Sequence, residues 1–365
     1  MNTSSPQFPH SDERPRRLKR RPSFGVLWPT LLVVILAVAW SGYWYVGSLG
    51  AQEGYARWKA QEVRDGREFA CDSEEHGGYP FRFEIRCTNP VWKLQHDGRA
   101  ITVRAQEVHT VSMAYQPNRV IAEFDGPLYV ERDDGATVEA DWEVAQMSLS
   151  LAPDNEYRPE VTSADLSLRK PLMNVISQPG RTFAAYRGEA FQFHMRKAEG
   201  AARGEASYDL AFSSIEPVLE LSDGTLQSAE RIDYLGSASQ VQALYSGPWT
   251  ERMRKWRNAG GQLKTEGLRI EMQDSLAILD GAVRLDSTGR PEGLVNLTTA
   301  GLDISKIAGD NSDILSGIAA FSIGALGTPV TVEGRNASRL TLRVQGGTVY
   351  LGPIGLTQFP SLTGE

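Results

Sequence analysis

The sequence predicts a mainly β (α+β) protein on a membrane anchor. An N-terminal transmembrane helix is followed by a large curved antiparallel sheet domain in two strand-rich halves with a helical insert. Three observations predict this. Residues 24–46 carry no charged side chain, and a run of that length matches the roughly 20 apolar residues a helix needs to cross a hydrocarbon core. Apolar and polar residues then alternate with period two through much of the chain, the pattern of half-buried strands. Short clusters of Gly, Pro, Asn and Asp separate these runs, which favours a meander of hairpins over crossover units.

Residues 1–23 form a basic, Pro-rich tail predicted to be disordered. Six Arg and Lys residues against Asp12 and Glu13 leave it at +4, so in a chain of net charge −7 the remainder carries −11. An acidic remainder excludes nucleic acid as a partner, because phosphates need a basic surface. The basic cluster beside the span predicts a single pass through the inner (cytoplasmic) membrane. The N-terminus is then cytoplasmic and the bulk of the chain periplasmic. Trp28 at one end of the span, and Trp40, Tyr43, Trp44 and Tyr45 at the other, mark an aromatic belt in the bilayer interfaces. A cleaved secretory signal is the competing reading. The span is longer than an ordinary signal core, and bulky residues occupy the exit where a cleavage site needs small ones.

Residues 47–70 read as an amphipathic stalk helix with Ala51, Tyr55, Trp58 and Glu62 on one face. Cys71 and Cys87 follow as the only two cysteines. In an oxidising compartment they predict a disulfide, worth about 3 kcal/mol for a loop of this size. A redox pair would instead show the close C-x-x-C spacing. Gly78-Tyr79-Pro80-Phe81-Arg82 reads as a turn into a strand. There Phe81, Phe83, Ile85 and Cys87 alternate with Arg82, Glu84 and Arg86.

This Gly-rich, aromatic-Pro-Phe-Arg segment, ending in Cys and placed behind an anchor, resembles the opening of the domain of unknown function 2125 family. These are uncharacterised membrane-anchored bacterial envelope proteins. The resemblance covers most of residues 24–365, with Tyr79 standing where Phe is commoner. It implies an envelope location and brings no active site, so no catalytic residue carries over.

Residues 71–216 form the N-terminal β half. Ile101 and Val103, then Val138, Ala140, Trp142 and Val144, mark buried faces. The phase then slips to Met147, Leu149 and Leu151, which predicts a bulge or bend. Turns are expected at residues 116–118, 125–127 and 133–135. Phe191, Phe193 and Met195, with Tyr208, Leu210 and Phe212, predict two adjacent strands.

Residues 217–262 read as a helical segment, with one helix over 226–245 and a second after Pro248. The second carries Trp249, Met253 and Trp256 at i, i+4 and i+7, a stripe that either packs on the sheet or lines an apolar groove. Residues 263–365 form the C-terminal β half. It has hairpins across 286–293 and about Gly346-Gly347, and a helical pair over 303–308 and 312–323. Strand-turn phrases such as LAILDGAVRLDSTGRPEGLVNL are similar to those of AsmA-like and TULIP-like envelope proteins. That similarity implies a lipid-lined groove.

The chemistry is sparse. The five histidines show no metal-ligand spacing, and no nucleophile elbow or phosphate loop occurs. His76, beside the cysteine loop, has the position of a base but no nucleophile in view. No catalytic, cofactor or metal residue is predicted, and no cofactor. The leading reading is a non-enzymatic periplasmic protein that binds or transfers lipid in envelope maintenance, with the lipid bilayer as its first partner. The alternative is an interaction scaffold that docks an envelope protein complex through a sheet edge. An envelope hydrolase comes last.

Overall fold

One helix, α1 (Phe24–Arg64), runs unbroken through both the apolar span and the stalk. At 1.5 Å per residue it is about 60 Å long, twice the thickness of a hydrocarbon core. It stops where Gly66 takes a positive φ of 74° and the Arg67 N–H closes on the Glu62 carbonyl at 2.8 Å, the usual left-handed glycine cap. The stalk therefore ends at Arg64, and residues 68–70 are strand. The computed structural model describes residues 24–96, 98–153, 159–178, 181–198, 207–245, 247–301 and 327–364. The basic tail and the helical pair expected over 303–308 and 312–323 lie outside the described residues.

The strands follow in chain order. β1 (Glu68–Ala70), β2 (Ser73–Gly77), β3 (Arg82–Thr88), β4 (Val91–His96), β5 (Arg99–Arg104) and β6 (Glu107–Met113) come first. β7 (Gln116–Asp125), β8 (Leu128–Arg132), β9 (Thr137–Asp141), β10 (Val144–Pro153), β11 (Pro159–Arg169) and β12 (Leu172–Gln178) continue the pattern. Then come β13 (Arg181–Arg187), β14 (Ala190–Lys197), β15 (Tyr208–Ile215), β16 (Val218–Leu221), β17 (Leu226–Ser228) and β18 (Arg231–Ala238). After a 3-10 turn (Val241–Leu244) and helix α2 (Trp249–Asn258) the chain adds β19 (Gln262–Met272), β20 (Ser275–Leu285) and β21 (Pro291–Ala300). It closes with β22 (Thr328–Val332), β23 (Arg335–Gln345), β24 (Thr348–Leu351) and β25 (Ile354–Gln358).

These strands build two antiparallel sheets, and the chain feeds them in turn. The smaller sheet has nine strands in the order β1-β4-β5-β8-β9-β12-β13-β16-β17. The larger has sixteen, running from β2-β3-β6-β7 through β18-β19-β20-β21 to β25, with β22 beside β23. Between β3 and β18 each crossing from one sheet to the other takes two residues. A long strand is thus broken once and continues in the second sheet. Passing from the larger sheet to the smaller, the break is Asn89-Pro90, Gly126-Pro127, Lys170-Pro171 or Glu216-Pro217. Asn89, Lys170 and Glu216 all have φ near +49° (49°, 47° and 49°). Each turns the chain, and the following proline, lacking an N–H, ends the ladder. The return breaks are Ala105-Gln106, Trp142-Glu143, Gly188-Glu189 and Ala229-Glu230. Their carbonyls accept from the opposing turn residues: Asn89 N–H to Gln106 at 2.7 Å, Lys170 to Glu189 at 2.9 Å, Glu216 to Glu230 at 2.8 Å. The backbone at the seam is therefore hydrogen-bonded, which a break this long inside a sheet requires.

The strand expectations hold, including the bend at the phase slip, which is the Trp142-Glu143 crossing; Val144, expected on the buried face, is instead 42% exposed while Ala145 is buried, because the crossing has already reversed the phase. Three further readings are corrected. Residues 226–245 are β17, β18 and the 3-10 turn, not a helix. Ile232 and Tyr234 fill places between Ser214 and Phe212 on one side and Ile270 and Leu268 on the other, and two ladders outweigh a weak helical preference. The larger sheet therefore runs through the insert, joining the two β halves, and the helical part of 217–262 shrinks to α2 and its preceding turn. Residues 125–127 form a crossing rather than a hairpin turn, and 116–118 begin β7.

Candidate functional site: an apolar trough beside the anchor helix

Alternation along each strand becomes, across the larger sheet, a long row that is apolar except at Thr110. In register, Met147, Leu166, Phe193, Phe212, Tyr234 and Leu268 stand side by side on successive strands. The row begins at Ile85 on β3 and reaches Leu340 on β23. At about 4.8 Å per strand it is roughly 50 Å long. Aromatic rings stack along it, Phe191 on Phe212 at 6.3 Å and Phe212 on Tyr234 at 5.2 Å. The opposite face is more polar, with Asp165 between Ser148 and His194 at 3.1 and 2.8 Å, although Leu235 and Leu294 are exposed on it.

The smaller sheet has a row of its own, through Trp92, Val103, Val130, Val138, Val175 and Ala184. The Tyr186 hydroxyl, on that face, meets the Ser214 hydroxyl on the apolar face of the larger sheet at 2.6 Å across the seam. The two rows therefore look into one space, a trough with a wall from each sheet. Of the long row only Ala122 and Leu340 are buried; the rest stay partly exposed. In a closed sandwich these positions would be core.

Helix α1 lies across the first end of the trough and touches both walls. Tyr55 donates to Glu74 at 3.1 Å and sits against His76, while Trp58 packs edge-on to Phe69 at 5.1 Å. Glu62 accepts from Arg67 at 2.6 and 2.8 Å and from the Trp92 indole at 3.2 Å. The stalk face read from the sequence is the face that docks. Burial pushes the Glu74 carboxyl up. The ammonium of Lys59 at 2.7 Å and the Tyr55 hydroxyl outweigh it and hold Glu74 below its ordinary range. Burial, then the charge on Glu74, raises the Tyr55 phenol. The Cys71–Cys87 disulfide, with Cα atoms 5.5 Å apart, pins the chain leaving the helix to β3.

The Gly78–Arg82 motif is the turn between β2 and β3, and it clasps α1. Trp40 Nε1 donates to the Pro80 carbonyl at 2.9 Å, Trp44 Nε1 to the Arg82 carbonyl at 2.7 Å, and the Tyr43 hydroxyl to the Ala114 carbonyl at 2.6 Å. Ser41 and Tyr79 share a hydroxyl contact at 2.9 Å, and Trp44 stands edge-on to the Tyr79 ring at 5.2 Å. Gly78 has φ of 99°, and a Cβ there would meet the Arg82 carbonyl at 2.4 Å, so only glycine closes this turn. Above the clasp a cavity of about 590 Å³ separates α1 from β3, β6 and β7; Gly50, Gly54, Phe83, Ile85 and Val120 line it.

The stripe on α2 lands elsewhere. Met253 and Trp256 are buried with Leu285, under Ala243, Leu244 and Leu362, while Trp249 is 43% exposed. Leu285 shares the face of the long row, so α2 closes one edge of the trough. Among the described residues no group of three or more His, Cys, Asp or Glu is placed to hold a metal ion. The seam prolines and the helix–clasp contacts escaped the sequence reading. The recurrence of X-Pro roughly every 40 residues between Asn89 and Pro217 was the available signal for the seam.

The fold and trough define the class: a β protein of two linked sheets, carried on one N-terminal helix long and apolar enough to span a membrane. The chain belongs to the family described as uncharacterized protein conserved in bacteria (DUF2125), whose model matches residues 44–360. No curated protein and no solved structure matches it.

Proposed function

We propose that the protein is a non-enzymatic lipid-binding or lipid-transfer factor of the bacterial envelope, held in the inner membrane with its sheets in the periplasm. One observation carries the reading: the largely apolar row, roughly 50 Å long at the spacing of strands, partly exposed at every position but Ala122 and Leu340. Soluble chains rarely expose an apolar strip of this size without a ligand or partner for it. The row begins beside the membrane helix, where acyl chains are at hand. The test places a photoreactive benzophenone residue at Phe212 or Leu268 on the row, and at His194 or Asp233 on the polar face, in the full chain in bacterial membranes. Phospholipid should be captured at the first pair and not the second; capture at neither would overturn the reading. A scaffold that docks an envelope protein complex is supported by Leu226, 62% exposed on the terminal strand β17. One dominant protein crosslink there would favour it.

A further inference from the structure

We infer that the cavity between α1 and β3 is a lateral port, through which an acyl chain of a bilayer phospholipid enters the trough, and that the two hairpin tips beside it sit in the bilayer interface. The inference rests on the trough reading and adds an entrance to it.

The tips are built for a poorly hydrated place. Tyr79 and Phe81, at the β2–β3 turn, are each 60% exposed, and Tyr115, at the β6–β7 turn, is 69% exposed. Their backbone is nevertheless largely closed on itself. The Phe81 and Arg82 N–H groups donate to Gly78, and Ala114 N–H donates to Phe81 at 2.8 Å. The carbonyls of Pro80, Arg82 and Ala114 accept from Trp40, Trp44 and Tyr43. Exposed aromatic rings over a satisfied backbone is what entry into lipid demands, because an unpaired amide there costs several kcal/mol. The level is right as well. Trp28 to Tyr45 rises about 26 Å along the helix, so Trp40 and Tyr43 lie at the far edge of a ~30 Å core. The tips bonded to them lie at the same depth.

The port follows from the glycines. Gly47, Gly50 and Gly54 recur at i, i+3 and i+7 and all line the cavity, Gly50 and Gly54 as exposed positions at its rim, in a helix that each of them weakens. Gly47 has a packing reason, since a Cβ there would strike the Phe83 ring at 2.5 Å. At Gly50 and Gly54 a Cβ would meet nothing within 4 Å. The space they leave is the cavity, and its walls at Phe83, Ile85 and Val120 are the first positions of the trough.

The experiment uses the full chain in vesicles of phosphatidylethanolamine and phosphatidylglycerol. A benzophenone residue at Val120 should capture phospholipid. Gly54→Leu and Gly50→Leu, which fill open space and favour the helix, should each cut that capture severalfold without lowering the melting temperature. No capture at Val120, or capture unchanged in both variants, overturns the port. Capture at Phe212 but none at Val120 would sink the port alone; capture at Val120 but none at Phe212 or Leu268 would sink the trough reading and the entrance with it. For the tips, Tyr115→Cys carries a fluorescent label, with Asp134→Cys in the β8–β9 turn as the water-exposed control. Spin-labelled lipid should quench the first well above the second, and equal quenching overturns the interfacial seat.

Discussion

The two helices lie on the same apolar face and treat it in opposite ways. Helix α2 presses Met253 and Trp256 onto Leu285 and seals that edge, with the Trp256 indole donating to the Ser239 carbonyl at 2.7 Å. Helix α1 is held by polar bonds and aromatic edges at the clasp and again at Tyr55, Trp58 and Glu62. Between those two sets of contacts it borders a cavity with Gly50 and Gly54, which offer the sheet no side chain. Hydrophobic burial is non-directional and fills whatever it can. Hydrogen bonds at fixed points can hold a helix off a sheet. The difference separates a place where the fold is stabilised from a place where something can pass.

The comparison breaks most visibly at α2. Trp256→Ala removes a buried ring and its bond, and about 3–5 kcal/mol of stability should go with it. Denaturant unfolding of the full chain in detergent would measure this. A loss under about 1 kcal/mol would mean that α2 is an ornament and that the sheets stand without it.

At α1 a smaller, pH-dependent effect is expected. Glu74 is held below its ordinary pKa of 4.5 in the folded chain. The stability it supplies through Lys59 and Tyr55 is present above that value and is lost as pH falls through the depressed folded one. Acid should therefore loosen the helix–sheet contact, seen as faster hydrogen exchange in β2, while α2 stays protected. Lys59→Met should abolish the pH dependence in this window. If β2 and α2 loosen together, the two helices are not independent and the contrast between them fails.

The sequence made the strands legible because alternation is local: Phe193 and Phe212 were placed on adjacent strands from their own neighbours, and the register agrees. The bend near residue 144 was visible as a phase slip, but its meaning was not, because a crossing between sheets and a bulge leave the same local trace. Residues 226–245 misled because Gly236 and Ser237 sit in a strand held by two neighbours, where packing rather than propensity decides. The site was harder. Trp40 to Pro80 and Tyr43 to Ala114 are 40 and 71 residues apart, so the aromatic belt and the Gly-Tyr-Pro-Phe-Arg turn were each readable and their contact was not. The glycines of α1 could be counted, yet only the structure separates Gly47, which packs on Phe83, from Gly50 and Gly54, which border the cavity.

The finest test concerns Tyr79, whose side chain meets the anchor helix twice. Its hydroxyl reaches Ser41 of the anchor at 2.9 Å on an exposed surface, while its ring holds the Trp44 edge. Tyr79→Phe keeps the ring and drops the hydroxyl, so the clasp should weaken by no more than about 0.5–1 kcal/mol. Tyr79→Ala removes the ring contact too and should cost more, as aromatic pairs are worth about 0.5–1.5 kcal/mol beyond their area. Proteolysis of the 78–82 turn in vesicles reads both, since a loosened clasp exposes its backbone. If Phe and Ala are cleaved alike and both faster than the native chain, the clasp depends on the hydroxyl. The ring geometry that holds the tips beside the helix would then be incidental.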